Sequence, residues 1–166
     1  MTISMHSASA PVFVRTLTAM LTWLDKAQAH AETRKFETTQ YLGLRLAPDM
    51  LPFTRQIQIC SDAAKGCMGR LAGIELPKWE DNEASFDDIR ARIRKTIDFV
   101  QTVSAAQVDG TEQKDIVIKM RAGDVTMKGE DYLRHFAMAN FFFHATTAYN
   151  LLRQAGVDIG KKDFLA

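Results

Sequence analysis

The chain has 166 residues, 46% hydrophobic and 25% charged, which suits a single compact domain over 1–166 whose core needs no disulfide or metal. Lys+Arg 21 against Asp+Glu 20 leaves a net charge of +1 and no basic stripe, which argues against a nucleic-acid partner. No apolar run reaches the roughly 20 residues of a bilayer span, so no membrane partner is expected. The start MTISMHSASAPVF lacks the basic opening and apolar middle of a signal peptide, so the expected location is the cytoplasm.

The first amphipathic segment runs from Pro11 to Ala31. Phe13, Leu17, Met20, Leu24, Ala27 and Ala31 recur at the three- and four-residue spacing of a helix–helix seam. Pro11 suits the first helical position, where a missing N–H costs nothing. Residues 33–49 break this period and read as a long extended connection. Asp49 is the expected N-cap of a second helix, with Pro52 in its first turn. That helix carries Met50, Phe53, Ile57, Ala64, Met68 and Leu71 on one stripe and stops near Gly73.

Cys60 and Cys67 lie on this second helix. Seven-residue spacing separates them by about 10 Å along the axis, too far for a bridge that needs Cα atoms within about 7 Å. They are expected to be reduced, half-buried thiols. A loop with Pro77 follows, and its Glu80, Asp81 and Glu83, with Asp87 and Asp88, read as a solvated acidic stretch.

Ser85 opens the third helix with a capping-box-like S-F-D-D, and Phe86, Ile89, Ile93, Ile97 and Val100 form its apolar stripe. DIVIKM and DVTMK alternate apolar with polar residues around RAG, the pattern of a short β-hairpin. The fourth helix is expected from Glu130 to Ala155, with Gly156 as its stop. Lys161 and Lys162 lie in a tail expected to fold back onto the bundle.

Within that last helix, FFFHATTAYNLLRQAG places His144 in the most apolar part of the chain. At about 100° per residue, Leu133, Ala137, Asn140, Phe141, Ala148 and Leu151 share its face, so His144 points to the core with Asn140 as the other polar group. His135 falls on the opposite side. Met138, Phe142, Ala145 and Tyr149 form a second apolar strip. Either the N-terminus and hairpin cover it, or a homodimer does; Met138, Phe142 and Tyr149 are the expected interface. His6 and His30 are expected to face solvent.

The segments PVFVRTL (11–17), LDKAQAHA (24–31), RLAPDMLPFTRQIQICSDAAKG (45–66), RLAGIELP (70–77) and NFFFHATTAYNLLRQAGVDIGKKDFL (140–165) together resemble the DinB/YfiT-like superfamily. Within it they are most similar to a bacterial family known as domain of unknown function nineteen-ninety-three. The resemblance implies an all-α, up-down-down-up four-helix bundle with a short β-hairpin before the last helix, and frequent dimers. It also implies, in many members, a divalent metal held by one histidine from the second helix and an H-x3-H pair from the fourth. Some members are thiol transferases or isomerases.

Carried over by position, His144 matches the second histidine of H-x3-H. Asn140 stands at the first, and Gln58 stands where the second helix supplies histidine. Two of three ligands are thus neutral amides, weak partners for Zn²⁺ or Ni²⁺. Gln58 also lies about 110° from its helix's apolar stripe, beside Arg55, Asp62 and Lys65. Asp62 is the nearest anion, with Arg55 its expected partner.

Three readings follow. The preferred one is a bundle without metal, or with a degenerate site, in which Asn140, His144, Gln58 and Asp62 line a small-molecule pocket and no cofactor is needed. The alternative is a metal-dependent hydrolase or thiol transferase/isomerase, with His144 as principal ligand and Asn140 and Gln58 beside it, holding Zn or Ni. The third is a structural or interaction protein whose buried polar groups fix packing register. Ser61 beside Asp62 offers the residue types for a nucleophile but no strained elbow surrounds it.

Overall fold

The computed structural model describes residues 3–120 and 123–166. Four long helices dominate: α1 (Ala10–Arg34), α3 (Phe53–Ala72), α4 (Phe86–Thr102) and α7 (Met138–Gln154). Short helices α2 (Thr39–Leu42) and α5 (Ala105–Val108) sit in connections, and α8 (Lys161–Phe164) ends the chain. Strands β1 (Asp115–Ile118) and β2 (Val125–Lys128) pair antiparallel with Asp115 opposite Lys128, giving the expected hairpin. The Arg-Ala part of its RAG tip lies outside the described residues. Among those described, no helix is long and apolar enough to cross a membrane.

The order up-down-down-up follows from the 13 residues between α3 and α4. Ile74 N–H bonds Gly69 O, Leu76 presses on Gly69, the Lys65 ammonium lies over Trp79, and Asp81 pairs with Arg55. The connection therefore runs back along α3, and α4 starts where α3 started. Their first residues meet, with Phe53 and Phe86 ring centroids 6.3 Å apart. Leu76 packs directly on Gly69, where an added Cβ would come within 2.3 Å of its side chain and force it to shift.

The seam of α1 is buried as its spacing predicts: Phe13, Leu17, Met20, Leu24, Ala27 and Ala31 all lie in the core. On α4, Phe86, Ile89, Ile93 and Val100 are buried and Ile97 half-buried. The Ser85 hydroxyl accepts from Asp88 N–H at 3.1 Å, the capping bond expected from S-F-D-D. Ser85→Ala removes it, and a drop of about 1 kcal/mol in unfolding free energy by urea denaturation is the expected result.

Several local expectations are corrected. Residues 33–49 are not simply extended: α1 continues to Arg34, and α2 buries Tyr41, which stacks on Phe86 at 5.6 Å. Pro52, not Asp49, caps α3, so Met50 lies outside the helix. Cys60 and Cys67 are fully rather than half buried, and burial pushes both thiols up, Cys67 to about 12, so neither is a thiolate at neutral pH. His30 is half-buried against Tyr41, and His6 bonds Val103 O, so neither is simply solvated.

The tail folds back as expected. Phe164 stacks on Trp23 at 5.4 Å and meets Tyr149 edge-on, while Lys26 pairs with Asp163 at 2.7 Å. Tyr149, one residue of the second apolar strip on α7, is thus covered within the chain. Met138 and Phe142 stay half-buried.

Candidate functional site

The helix that carries His144 enters through an irregular turn. α6 (Gly129–Asp131) passes without a break into a π-helical stretch, Tyr132–Ala137, and then into α7. Such wider turns recur at functional sites. Beyond it α7 is regular, and Phe141, His144, Ala148 and Leu151 are buried on one face.

His144 is 8% exposed, and its partner is not Asn140. Its Nδ1 lies 2.6 Å from Oε1 of Gln56 on α3. The Gln56 amide nitrogen is already spent as a donor to Leu51 O at 2.8 Å, which fixes the amide's orientation. Oε1 must then accept, so His144 carries its proton on Nδ1 and leaves the Nε2 lone pair free. Burial holds the imidazole below its ordinary range, which favours this neutral form. Among the described residues the fully buried, unpartnered side-chain polar atoms are Ser61 Oγ and Arg92 Nε. Nε2 also has no partner among the described residues and is not one of these two atoms, so it touches solvent, beside a Phe143 that is 57% exposed with its ring perpendicular to the imidazole.

Gln56→Leu leaves the Nδ1–H of His144 without an acceptor in the core. The expected cost is about 1–3 kcal/mol, measured by chemical denaturation, against less than about 0.5 kcal/mol for exposed Gln40→Leu.

The other expected site residues disperse. Asn140 is half-buried and makes no side-chain hydrogen bond among the described residues. Gln58 is only 2% exposed, and its amide is taken up by its own helix and by the loop that follows. Its Oε1 accepts from Arg55 at 2.6 Å and its Nε2 donates to Glu83 at 2.6 Å. Asp62 pairs with Lys65 at 2.8 Å and Arg92 at 3.1 Å, not with Arg55, which turns to Asp81. Ser61 Oγ is buried without a hydrogen-bond partner among the described residues, so none of them stands as a base beside it.

Gln58 and Asp62 belong instead to a charge cluster centred on Arg92, which is 1% exposed. Arg92 bonds Asp62, Asp81 (2.9 Å), Glu83 (2.9 Å) and the carbonyl of Glu80 (3.1 Å). Of the acidic stretch expected to be solvated, Glu83 is covered and Asp81 is drawn down onto α3 and α4, while the side chains of Glu80, Asp87 and Asp88 stay exposed as expected. Burial pushes the Asp81 and Glu83 carboxyls up. The guanidinium bonds of Arg55 and Arg92 to Asp81, and those of Arg92 and Gln58 to Glu83, outweigh it and hold both below the usual range.

The metal that the superfamily resemblance implies can be tested against these donors. Gln58 Oε1 is occupied by a cationic donor, a poor neighbour for a divalent cation. Asn140 supplies only a neutral amide. Among the described residues no three His, Cys, Asp or Glu side chains group so as to hold a metal ion. The donor set does not fit the three-histidine site.

Sequence reasoning missed Gln56. The signal was present: Phe53, Gln56, Cys60, Ala64, Cys67 and Leu71 recur at three and four residues, and all are buried. Treating the cysteines as core residues puts Gln56 on that seam, one turn into the helix.

Among curated proteins none matches this chain. Its structure is similar to the crystal structure of a DinB family member from Shewanella denitrificans, with a TM-score of 0.89, 32% identity, and 97% of this chain and 91% of that one covered. The sequence matches a domain of unknown function (DUF1993) over residues 5–165. With the parallel α3–α4 pair and the hairpin before the last helix, these matches settle the assignment: the chain belongs to the DUF1993 family and has the DinB-like fold.

Proposed function

We propose that this protein is a metal-independent DinB-like bundle that binds a small molecule at the exposed edge of His144. The observation that carries the reading is the commitment of Gln58 to Arg55 and Glu83, which removes the α3 ligand from a metal site. His144 then serves as a neutral acceptor. Its Nε2 lone pair, with the exposed Phe143 ring beside it, suits a ligand that has one hydrogen-bond donor and an apolar body.

Elemental analysis of untagged protein tests the metal half of this reading. Less than about a tenth of an equivalent of Zn, Ni or Fe, and a melting temperature unmoved by chelator, are the expected results. A stoichiometric metal that disappears in His144→Ala contradicts it. Self-association through half-buried Met138 and Phe142 forms part of the same proposal. A folded Phe142→Asp variant is expected to scatter as a monomer where the parent is a dimer; an unchanged dimer contradicts that interface.

A further inference from the structure

A second polar constellation lies at the other end of α7, twelve residues and about 18 Å along the axis from His144. There Tyr41 is buried, and its hydroxyl lies 2.6 Å from His30 Nδ1. The hydroxyl proton has no other acceptor among the described residues. If Nδ1–H donated to the phenol, that proton would stay unpaired in the core, at the cost of a lost hydrogen bond. The favourable arrangement has Tyr41 O–H donating to Nδ1, which places the imidazole proton on Nε2.

Nε2 faces Gly156. A Cβ at that position would sit 3.5 Å from it, and Gly156 adopts φ +94, the left-handed stop after α7. The edge of the imidazole is therefore open to a cavity of about 400 Å³ lined by His30, Arg34, Phe36, Gln154, Ala155 and Gly156. No carboxylate lines it. Arg34 is exposed and forms no ion pair among the described residues. The adjoining cavity shares His30 and Gly156 and is lined also by Lys26 and the exposed Asp158; there Lys26, paired with Asp163, balances the acidic side.

Two helices end here, and unpaired helix-end carbonyls would repel an anion. They are largely closed by the chain itself. Phe36 and Lys35 N–H bond Ala31 O and Glu32 O; Ala155, Val157 and Gly156 N–H bond Leu151 O, Leu152 O and Arg153 O. The lining thus offers donors and a cation: the His30 Nε2–H, the Gln154 amide and the Arg34 guanidinium. Phe36 adds an apolar wall, held edge-on to His30 at 5.8 Å.

We propose that this cavity is a binding site for a small carboxylate with an apolar body. Arg34 and His30 Nε2–H hold the carboxylate by charge-assisted hydrogen bonds, and Phe36 packs on the remainder. The site is independent of His144 and of any metal.

Benzoate, with benzamide as its neutral isostere, is the probe. Each is titrated into the ¹⁵N-labelled full chain while the Gly156 and Phe36 amides and His30 Nε2 are followed. Saturable benzoate shifts at these three places are expected, with benzamide about tenfold weaker or worse. Arg34→Ala, an exposed change that leaves the fold intact, is expected to weaken benzoate by about tenfold. No saturable benzoate shift, equal binding of benzamide, or unchanged affinity in Arg34→Ala overturns the proposal.

Discussion

Arg92→Met is expected to lower unfolding free energy by about 3–5 kcal/mol, because removing one partner of a buried ion cluster strands the others. For a chain of this size that is a fall of roughly 6–20 °C in melting temperature. The carboxylates are not equally exposed to the loss. Asp62 keeps Lys65 and Asp81 keeps Arg55, whereas Glu83, whose side chain is 5% exposed, keeps only the Gln58 amide. The double variant Arg92→Met/Glu83→Gln should therefore lose less than the sum of its single changes. A single variant within about 1 kcal/mol of the parent would show that the cluster does not hold the loop.

The cluster also sets an acid dependence, with a definite sign. Asp81 and Glu83 have folded pKa values below their unfolded ones, so the unfolded chain binds more protons as the pH falls. Their stabilisation is complete above the ordinary carboxylate range, near pH 4.5 for Glu83, and is lost as the pH drops through the lowered folded values. Glu83→Gln should flatten that part of the stability profile.

The second large effect is expected at Phe141. This ring is fully buried, edge-on to Phe13 at 4.8 Å and to Phe142 at 5.3 Å, and it joins α1 to the helix that carries His144. Phe141→Ala should cost about 3–5 kcal/mol through lost burial and the cavity left behind. Phe143→Ala, two residues on but largely exposed, should change stability by less than about 0.5 kcal/mol. Denaturant unfolding of the pair checks the contrast; similar losses would mean that the face assignment of α7 is wrong.

That face assignment was legible in the sequence because α7 is regular beyond Ala137 and one angle per residue suffices. The α1 seam, the Ser85 cap and the hairpin were legible for the same reason: each depends on residues close along the chain. The site was less so. The wheel groups Gln58 with Arg55, which does bond it, yet cannot show that Glu83, 25 residues later, covers and binds it. Likewise, Asp81 and Glu83 look like part of a solvated run until the crossover lays them over Arg92, whereas Glu80 beside them does stay exposed. Proximity on one helix pairs Asn140 with His144, whereas the partner is Gln56, 88 positions away on another. The π-helical stretch at Tyr132–Ala137 carries no simple periodic mark, so it too escaped a reading based on regular helices.

On the proposed reading His144 is a neutral acceptor oriented by Gln56 and not a metal ligand. A long-range ¹H–¹⁵N spectrum of the imidazole, recorded with and without one equivalent of Zn²⁺, tests it most directly. The predicted result is protonated Nδ1 and unprotonated Nε2, unmoved by zinc and remaining neutral to a pH below the ordinary imidazole range. A stoichiometric, zinc-dependent shift of His144 Nε2, or a proton found on Nε2 in the free protein, would contradict it.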